Sequence, residues 1–467
     1  MLVNMYSSNE MDCVDKLYRG ECKVAVYGAG YVGLGIAAVL LRKDLQLILV
    51  DVNEEKLSRI ANGIVPHIEE TVVNEIRRGL MKGLITVTSD GVKASRESCV
   101  KIVTVPIYLD WLLKNIDYSA FRSVLMSIAK GLKRGDLVII ESSVPPGTTI
   151  EIAKPILEEY SGLRVEHDFY LAYSPERVYV GRIVKDIEEN YPKVVGGIGP
   201  LSLEIASKFY ERICRRGVVR ASNTTVAEFE KIAEGIYRDV NIALANQLAL
   251  ACMYLGIDYY EVMSIANTQP YCNLHQPGPG VGGFCIPIYP YFAVNKLLEK
   301  KYYLDLVVKA RSINEAMPHV VVKLIEALYL RNISKPNEVK TAILGVAFRG
   351  DIDDSRLSPS HDIIALLKAR GIENIVAHDP YVSGDDVLKR LNVELTNNIE
   401  YALRDSDLVI VTTRHSIYRK LGISKILEYS GKKPLIMDTV NVLIKDTDYD
   451  KFVVLGRGPV FGLNNNM

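Results

Sequence analysis

The sequence is short of net charge, of paired cysteines and of uninterrupted hydrophobic runs, and each shortage closes off a class of function. Lys+Arg and Asp+Glu number 56 each, so no overall field draws the chain to nucleic acid or to an anionic membrane. A local cationic pocket stays open. The seven cysteines (Cys13, Cys22, Cys99, Cys214, Cys252, Cys272 and Cys285) are odd in number and show no CxxC spacing. That pattern argues against a disulfide framework or a zinc site, so no metal is expected, and it fits a reducing, cytoplasmic compartment. The N-terminal MLVNMYSSNEMDCVDKLYRGE is too polar for a secretion signal. The longest apolar stretch, NIALANQLALACMYLGI, is interrupted by Asn241, Asn246 and Gln247 and falls short of the ~20 apolar residues of a membrane span. It reads as a buried helix.

What is present is globular. The 467 residues are 48% hydrophobic and 24% charged, enough for roughly three domains at about 100–200 residues each. KVAVYGAGYVGLGIAAVLL reads as strand, glycine turn and helix; LQLILVD, ITVTS, VKIVTVP, DLVIIES and DFYLAYSP read as further strands. Strands alternating with helices predict a doubly wound, mostly parallel sheet. From Thr225 to Leu255 the pattern changes to one long helix, with apolar residues at helical spacing (Ile232, Ile236, Val240, Ala243, Leu244, Leu248). TAILGVAF, NIVAHDP, LVIVTT and LIMDT then begin a second α/β set. The expected fold is therefore two Rossmann-like doubly wound α/β domains joined by a central helical domain. Its divisions are a polar extension over 1–20, an α/β domain over 21–222, a helical domain over 223–335 and a second α/β domain over 336–467.

Gly28-Ala29-Gly30-Tyr31-Val32-Gly33 matches GxGxxG between a strand and a helix, and Asp51 ends the next strand 23 residues after Gly28. Gly28 permits the tight turn, Gly30 lets backbone approach a pyrophosphate, and Gly33 lets the helix pack closely with its N-terminal amides toward the anion. Asp51 would accept hydrogen bonds from the ribose hydroxyls and repel a 2′-phosphate, which favours NAD over NADP.

GYVGL, ESSVPPGTT, SPERVYVG, the AE..K helix and PGPGVGGFC occur in a fixed order, and LGVAFRGDIDDSRLSPS follows in the last third. Together they resemble the UDP-glucose/GDP-mannose dehydrogenase family from about Lys23 to Gly458. RDVNIALANQ and QPGPGVGG look most like its UDP-N-acetylmannosamine (and UDP-N-acetylglucosamine) dehydrogenase branch. The resemblance implies oxidation of a sugar C6 alcohol to a carboxylate with two NAD reduced, through a cysteine thiohemiacetal and thioester. It assigns Cys285 as nucleophile, Lys231 as the lysine that stabilises oxyanions or exchanges protons, and Glu176 as the carboxylate that orders or deprotonates water. Arg177, Val178, Lys231, Arg238 and Gly278 match positions that hold substrate. Arg349 matches a cation near the diphosphate, while Ser143, Val105, Pro106 and Arg356 match positions near NAD beside Tyr31 and Val32. It also implies NAD on the first α/β domain, a UDP-sugar on the last, and a homodimer or higher homo-oligomer joined by the central helix. Each residue also has a plain structural use: a small buried hydrophobe for Cys285, a solvated lysine, a loop cap, a surface ion pair for the arginines.

Several positions depart from the family. Gly235 stands where the family has asparagine, Phe284 where the branch has histidine, and Tyr289 where an aspartate pairs with the lysine. Ile107 and Tyr108 change the VPTP turn and lose a hydroxyl near the cofactor, and Thr268, Tyr271 and Val440 replace expected arginines. A phenol of pKa about 10 cannot supply a carboxylate's charge near neutrality. Three outcomes stay open: full oxidation of UDP-N-acetyl-D-mannosamine or a close relative, a different sugar or a partial two-electron oxidation, and nucleotide-sugar binding without turnover.

Overall fold

The computed structural model describes residues 12–110 and 113–458. The strands are β1 (Lys23–Tyr27), β2 (Leu47–Val50), β3 (Ile85–Thr88), β4 (Ser98–Val103), β5 (Tyr108–Leu109), β6 (Ile116–Asp117), β7 (Leu137–Ile140), β8 (Tyr170–Tyr173), β9 (Lys193–Gly197), β10 (Val218–Ala221), β11 (Thr341–Leu344), β12 (Ile375–His378), β13 (Glu394–Thr396), β14 (Leu408–Val411), β15 (Leu435–Asp438) and β16 (Phe452–Val454). They form two large sheets, ordered β10-β9-β8-β7-β4-β1-β2-β3 and β13-β12-β11-β14-β15-β16, and a small β5-β6 ribbon. Pairing in the large sheets is parallel except between β8 and β9. Both are doubly wound, and each reverses its strand order beside its first strand, β1 or β11. The expected α/β class is the observed one. The central strands β1, β2, β4, β7, β11, β12, β14 and β15 read as apolar runs because helices cover both faces.

The chain divides into two compact units, residues 1–233 and 234–467, and the division falls inside the long helix Thr224–Leu255. In the first unit the core gathers Val24, Val26, Leu34, Ile36, Leu49, Ile102 and Ile139. In the second it gathers Val321, Ile325, Ile343, Ile363, Ile410 and Met437.

Part of the polar extension is folded. A helix over Cys13–Tyr18, capped by Asp12 accepting the N–H groups of Val14 and Asp15 at 3.0 Å, buries Cys13, Val14 and Leu17. Residues 1–11 lie outside the described residues. One cysteine expectation is overturned: Cys22 and Cys99 form a disulfide, Cα–Cα 5.9 Å. Spacing along the chain could not reveal it. Because β1 and β4 are neighbours in register Lys23↔Ser98, the residues flanking that pair meet across 77 positions. Among the described residues no helix is long and apolar enough to cross a membrane.

The helix Thr224–Leu255 spans the stretch that the sequence predicts, but the apolar stripe is not its whole inner face. Leu244 is exposed, whereas Asp239 and Asn246 are fully buried. Asp239 accepts from Arg311 at 2.5 Å and Asn314 at 2.8 Å, and Asn246 donates to Asn314 at 3.0 Å. The inner face is held by a polar network.

β4 carries Lys101 in an otherwise apolar run. Its ammonium, wholly buried, donates to the Ser98 carbonyl at 2.8 Å and to the Asp136 carboxylate. Removing one partner of such a pair leaves an uncompensated charge, at a cost of about 3–5 kcal/mol. Lys101→Met is therefore expected to lower the stability of the first unit by about that much, and adding Asp136→Leu to recover most of it. Urea denaturation followed by circular dichroism checks both; equal losses in the single and double variants would refute the assignment.

Candidate active site

β1 ends at Tyr27, and the chain turns at Gly28, φ +110°, into the helix Tyr31–Leu41. A Cβ on Gly33 would lie 1.8 Å from the Gly28 carbonyl oxygen, and one on Gly28 would lie 2.8 Å from Thr104 Oγ1. No side chain caps this helix, and a Cβ on Gly30 would meet nothing within 4 Å. The first N–H groups and the Gly30 backbone are thus open to a pyrophosphate. Asp51, just past β2, accepts from Ala29 N at 2.8 Å, Asn53 N at 2.9 Å and Lys56 Nζ at 2.7 Å. Burial works against its ionisation, yet Lys56 and the two N–H groups hold its carboxyl below the usual range. These residues fit NAD, and the anionic Asp51 disfavours a 2′-phosphate.

Tyr31 stacks on His67 with ring centroids 4.4 Å apart; its hydroxyl donates to Glu69 and accepts from Gly181 N at 2.7 Å. Val32 is half-buried against the core. Val105 and Pro106 follow β4, which adjoins β1, and Ser143 follows β7, the next strand out. All three share the C-terminal edge of the sheet with Gly28, where doubly wound folds bind ligands.

The SPER segment follows β8. Glu176 is buried, with one carboxylate oxygen accepting from its neighbour Arg177 N at 2.9 Å and the other from Lys193 Nζ at 2.9 Å. Arg177, matched by resemblance to substrate, has its guanidinium on Glu230 at 3.0 Å and on the Pro192 carbonyl at 2.8 Å. Val178 is half-buried. Glu228 fastens the long helix to the PPGTT loop, accepting from Gly147 N at 2.5 Å and Thr149 N at 2.8 Å. Burial pushes its carboxyl up to about 7, against the pull of those donors. Lys231, three residues on, is half-buried on that anchored stretch.

In the second unit Cys285 is exposed, on a turn whose carbonyl accepts from Ile288 N at 3.2 Å and Tyr289 N at 3.0 Å. The glycines before it serve a packing purpose that the sequence leaves hidden. A Cβ on Gly282 would meet the Leu357 carbonyl at 2.6 Å, one on Gly283 the Phe348 ring at 2.8 Å, and one on Gly280 Pro359 at 3.0 Å. They seat the cysteine loop on the segment Phe348–Pro359. Arg356 completes the seat: its carbonyl accepts from Gly283 N at 2.9 Å, and its guanidinium lies 4.8 Å over Phe284 while paired with Asp354. Arg349 is half-buried in the same segment, and Gly278 N donates to Asn246 at 2.9 Å. Arg238, half-buried on the long helix, lies close enough to His275 that burial and then its charge lower the imidazole pKa.

Gly235 and Tyr289, which read as separate departures, are in contact. A Cβ on Gly235 would lie 2.7 Å from Tyr289 Cδ2 and 3.2 Å from its Cβ. The buried tyrosine occupies the space that any larger residue at 235 would need. Asp239, one turn further along, accepts from Arg311 and Asn314 through one carboxylate oxygen.

Several polar residues escape sequence reasoning. Lys193, at the start of β9, donates both to Glu141, just past β7, and to Glu176; Asp379 and His415 pair at 3.1 Å, fully buried, beneath the Val346 and Ala347 N–H groups. Arg414 donates to the Val440 carbonyl at 3.0 Å, beside a position where the resemblance expects an arginine. The available signal was a charge interrupting a run buried on both faces, since such a charge needs a partner.

The UDP-glucose/GDP-mannose dehydrogenase family matches in three parts: its NAD binding domain over residues 22–214, its central domain over 225–316 and its UDP binding domain over 342–445. The chain is 34% identical to the UDP-N-acetyl-D-mannosamine dehydrogenase of Pyrococcus horikoshii, covering 94% of this chain and 100% of that one. It is 32% identical to an NDP-N-acetyl-D-galactosaminuronic acid dehydrogenase of Ralstonia solanacearum, over 86% and 93% of the two chains. Among solved structures, the UDP-D-ManNAc dehydrogenase from P. horikoshii superposes with a TM-score of 0.85 at 33% identity, covering 94% and 100%. The UDP-N-acetyl-mannosamine dehydrogenase from Staphylococcus aureus gives 0.80 at 30%, covering 92% and 97%.

The contact between positions 235 and 289 makes an energetic prediction. Gly235→Asn alone overpacks the tyrosine and is expected to cost about 1–3 kcal/mol. Combined with Tyr289→Asp it is expected to cost less than the two single changes added together, with a coupling of at least about 0.5 kcal/mol. Thermal and urea denaturation of the four proteins measures it; strict additivity would refute the coupling.

Proposed function

The chain belongs to the UDP-glucose/GDP-mannose dehydrogenase family, whose members are NAD-dependent, and from that premise we propose that it oxidises the C6 alcohol of UDP-N-acetyl-D-mannosamine to the carboxylate. What supports this substrate is the likeness to UDP-N-acetyl-D-mannosamine dehydrogenases along nearly the whole chain, 34% identity over 439 residues, together with the exposed Cys285 turn.

NAD, when bound, accepts the hydride of each of two oxidation steps. Lys231 stabilises the alkoxide that forms at C6 and, later, the oxyanion of the tetrahedral adducts. Cys285 adds as thiolate to the C6 aldehyde, giving a thiohemiacetal whose oxidation leaves a thioester. Glu176 takes a proton from the water that cleaves it. Arg177, Val178, Arg238 and Gly278 orient the sugar, and Arg349 balances diphosphate charge. Ser143, Val105 and Pro106 would border the nicotinamide half of the cofactor, and Arg356 is assigned to the same ligand. The four-part division at residues 20, 222 and 335 and a homodimer built on the central helix complete the reading.

One observation favours a second reading. Tyr289 fills, with a buried ring, a place where the chemistry calls for a carboxylate. A different nucleotide-sugar, a single two-electron oxidation, or binding without turnover would each suit that change.

Incubation of the purified protein with NAD and a panel of UDP- and GDP-sugars tests the proposal. Two NADH per UDP-N-acetyl-D-mannosamine consumed are expected, and Cys285→Ser is expected to abolish carboxylate formation. One NADH per sugar, preference for another sugar, or binding without NADH would move the assignment to the second reading. Full oxidation by Cys285→Ser would overturn the nucleophile.

A further inference from the structure

Lys193, Glu141 and Glu176 form a closed group inside the first unit. One ammonium donates to Glu141 at 2.7 Å and to Glu176 at 2.9 Å, and all three side chains are almost completely buried. Tyr210 donates to the second oxygen of Glu141, and its ring lies 5.2 Å from the ammonium. The other titratable groups that face the cluster are Tyr173, Tyr191 and Cys214. An adjoining cavity is otherwise lined by apolar side chains, among them Ile102, Ile187, Phe209 and Ile213. One cation therefore serves two carboxylates in apolar surroundings. With both carboxylates ionised the group carries a net −1; with one proton added it is neutral, which such surroundings favour.

We propose that Glu141 and Lys193 are positioning residues: one buried ammonium held between two buried carboxylates lets the group as a whole take up the proton that Glu176 receives from water. The inference rests on the role given to Glu176 above. An isolated glutamate, with a pKa of about 4.3, is a weak base for water, and general bases work best with a pKa near the working pH. Burial, opposed by Lys193 and reinforced by Glu176, pushes the Glu141 carboxyl up to about 7. Glu141 and Glu176 share one lysine, so a proton added to either neutralises the whole group. In the hydrolytic step, water oxygen bonds to the thioester carbon while one of its protons passes to Glu176, taking the group from −1 to neutral. The adduct then collapses: the C–S bond breaks, sulfur keeps the bonding pair, and the acid product releases its remaining proton to solvent. Glu176 returns its proton to solvent before the next turnover.

Two substitutions should move the pH dependence in opposite directions. Glu141→Gln removes a like charge from the group around Lys193, so the acid limb of thioester hydrolysis moves down by about one pH unit or more. Lys193→Met removes the opposite charge and moves that limb up; Lys193→Arg should leave it near the wild-type position. The same displacements are read without turnover, by ¹³C NMR titration of glutamate carboxyls in the full-length protein with Glu141→Gln and Glu176→Gln as assignments. A wild-type glutamate carboxyl that titrates near neutrality and is assigned to the group by its change in Glu176→Gln, displaced downward or removed by Glu141→Gln, supports the proposal. If Lys193→Met does not fold, the Glu141→Gln and Lys193→Arg profiles decide alone. No titration above about pH 6 that Glu141→Gln or Glu176→Gln removes or moves, or a Glu141→Gln profile unmoved, overturns it. Should the wild type oxidise no nucleotide-sugar, the function reading fails while the NMR arm still judges the proton-sharing group.

Discussion

The helix Tyr31–Leu41 lies so close to the turn it grows from that a methyl group on Gly33 would come within 1.8 Å of the Gly28 carbonyl oxygen. The cofactor half of the protein depends on this approach. It aims the uncapped helix end at the edge where β1 and β4 diverge, and it presses Gly28 against Thr104 at the end of β4. The second unit uses the same device for another purpose. Gly280, Gly282 and Gly283 let the cysteine loop lie flat on Phe348, Leu357 and Pro359, so the turn of Cys285 is braced by the segment that also carries Arg349 and Arg356. In both places a missing side chain sets the distance between two backbones.

Charge is handled with similar economy. Buried ions in the first unit come as partnered sets: Lys101 with Asp136, Lys193 with Glu141 and Glu176. In the second, Asp239 takes Arg311 and Asn314, and Asp379 takes His415 with the backbone amides of Val346 and Ala347. These sets hold the loops at the strand ends. Glu228 does the same for the PPGTT loop, tying it to the helical turn that precedes Lys231.

The sequence makes the architecture readable because its strands are continuous apolar runs, and such runs are what a sheet covered on both faces requires. The six strands read in the first half and the four in the second are all present, while β9, β10, β13 and β16 escape notice because they are short or partly polar. The cofactor turn is equally legible, since GxGxxG, Asp51 and the strand before it are local features. Pairings across long separations are not local. Cys22 meets Cys99 through the register of β1 and β4, Tyr289 meets Gly235 through the packing of two helices, and Lys193 reaches Glu176 from the neighbouring strand. Each residue is visible in the sequence; its partner is not.

The bond between Cys22 and Cys99 closes a ring of chain that contains the whole glycine turn, Asp51 and the first three strands. An unfolded chain tied in this way explores fewer shapes, by an amount equivalent to about 4–5 kcal/mol for a ring of this length. A protease that nicks any exposed loop within it would leave two fragments still held together, so the nucleotide-binding edge keeps its ends through a cut that would separate an unlinked domain.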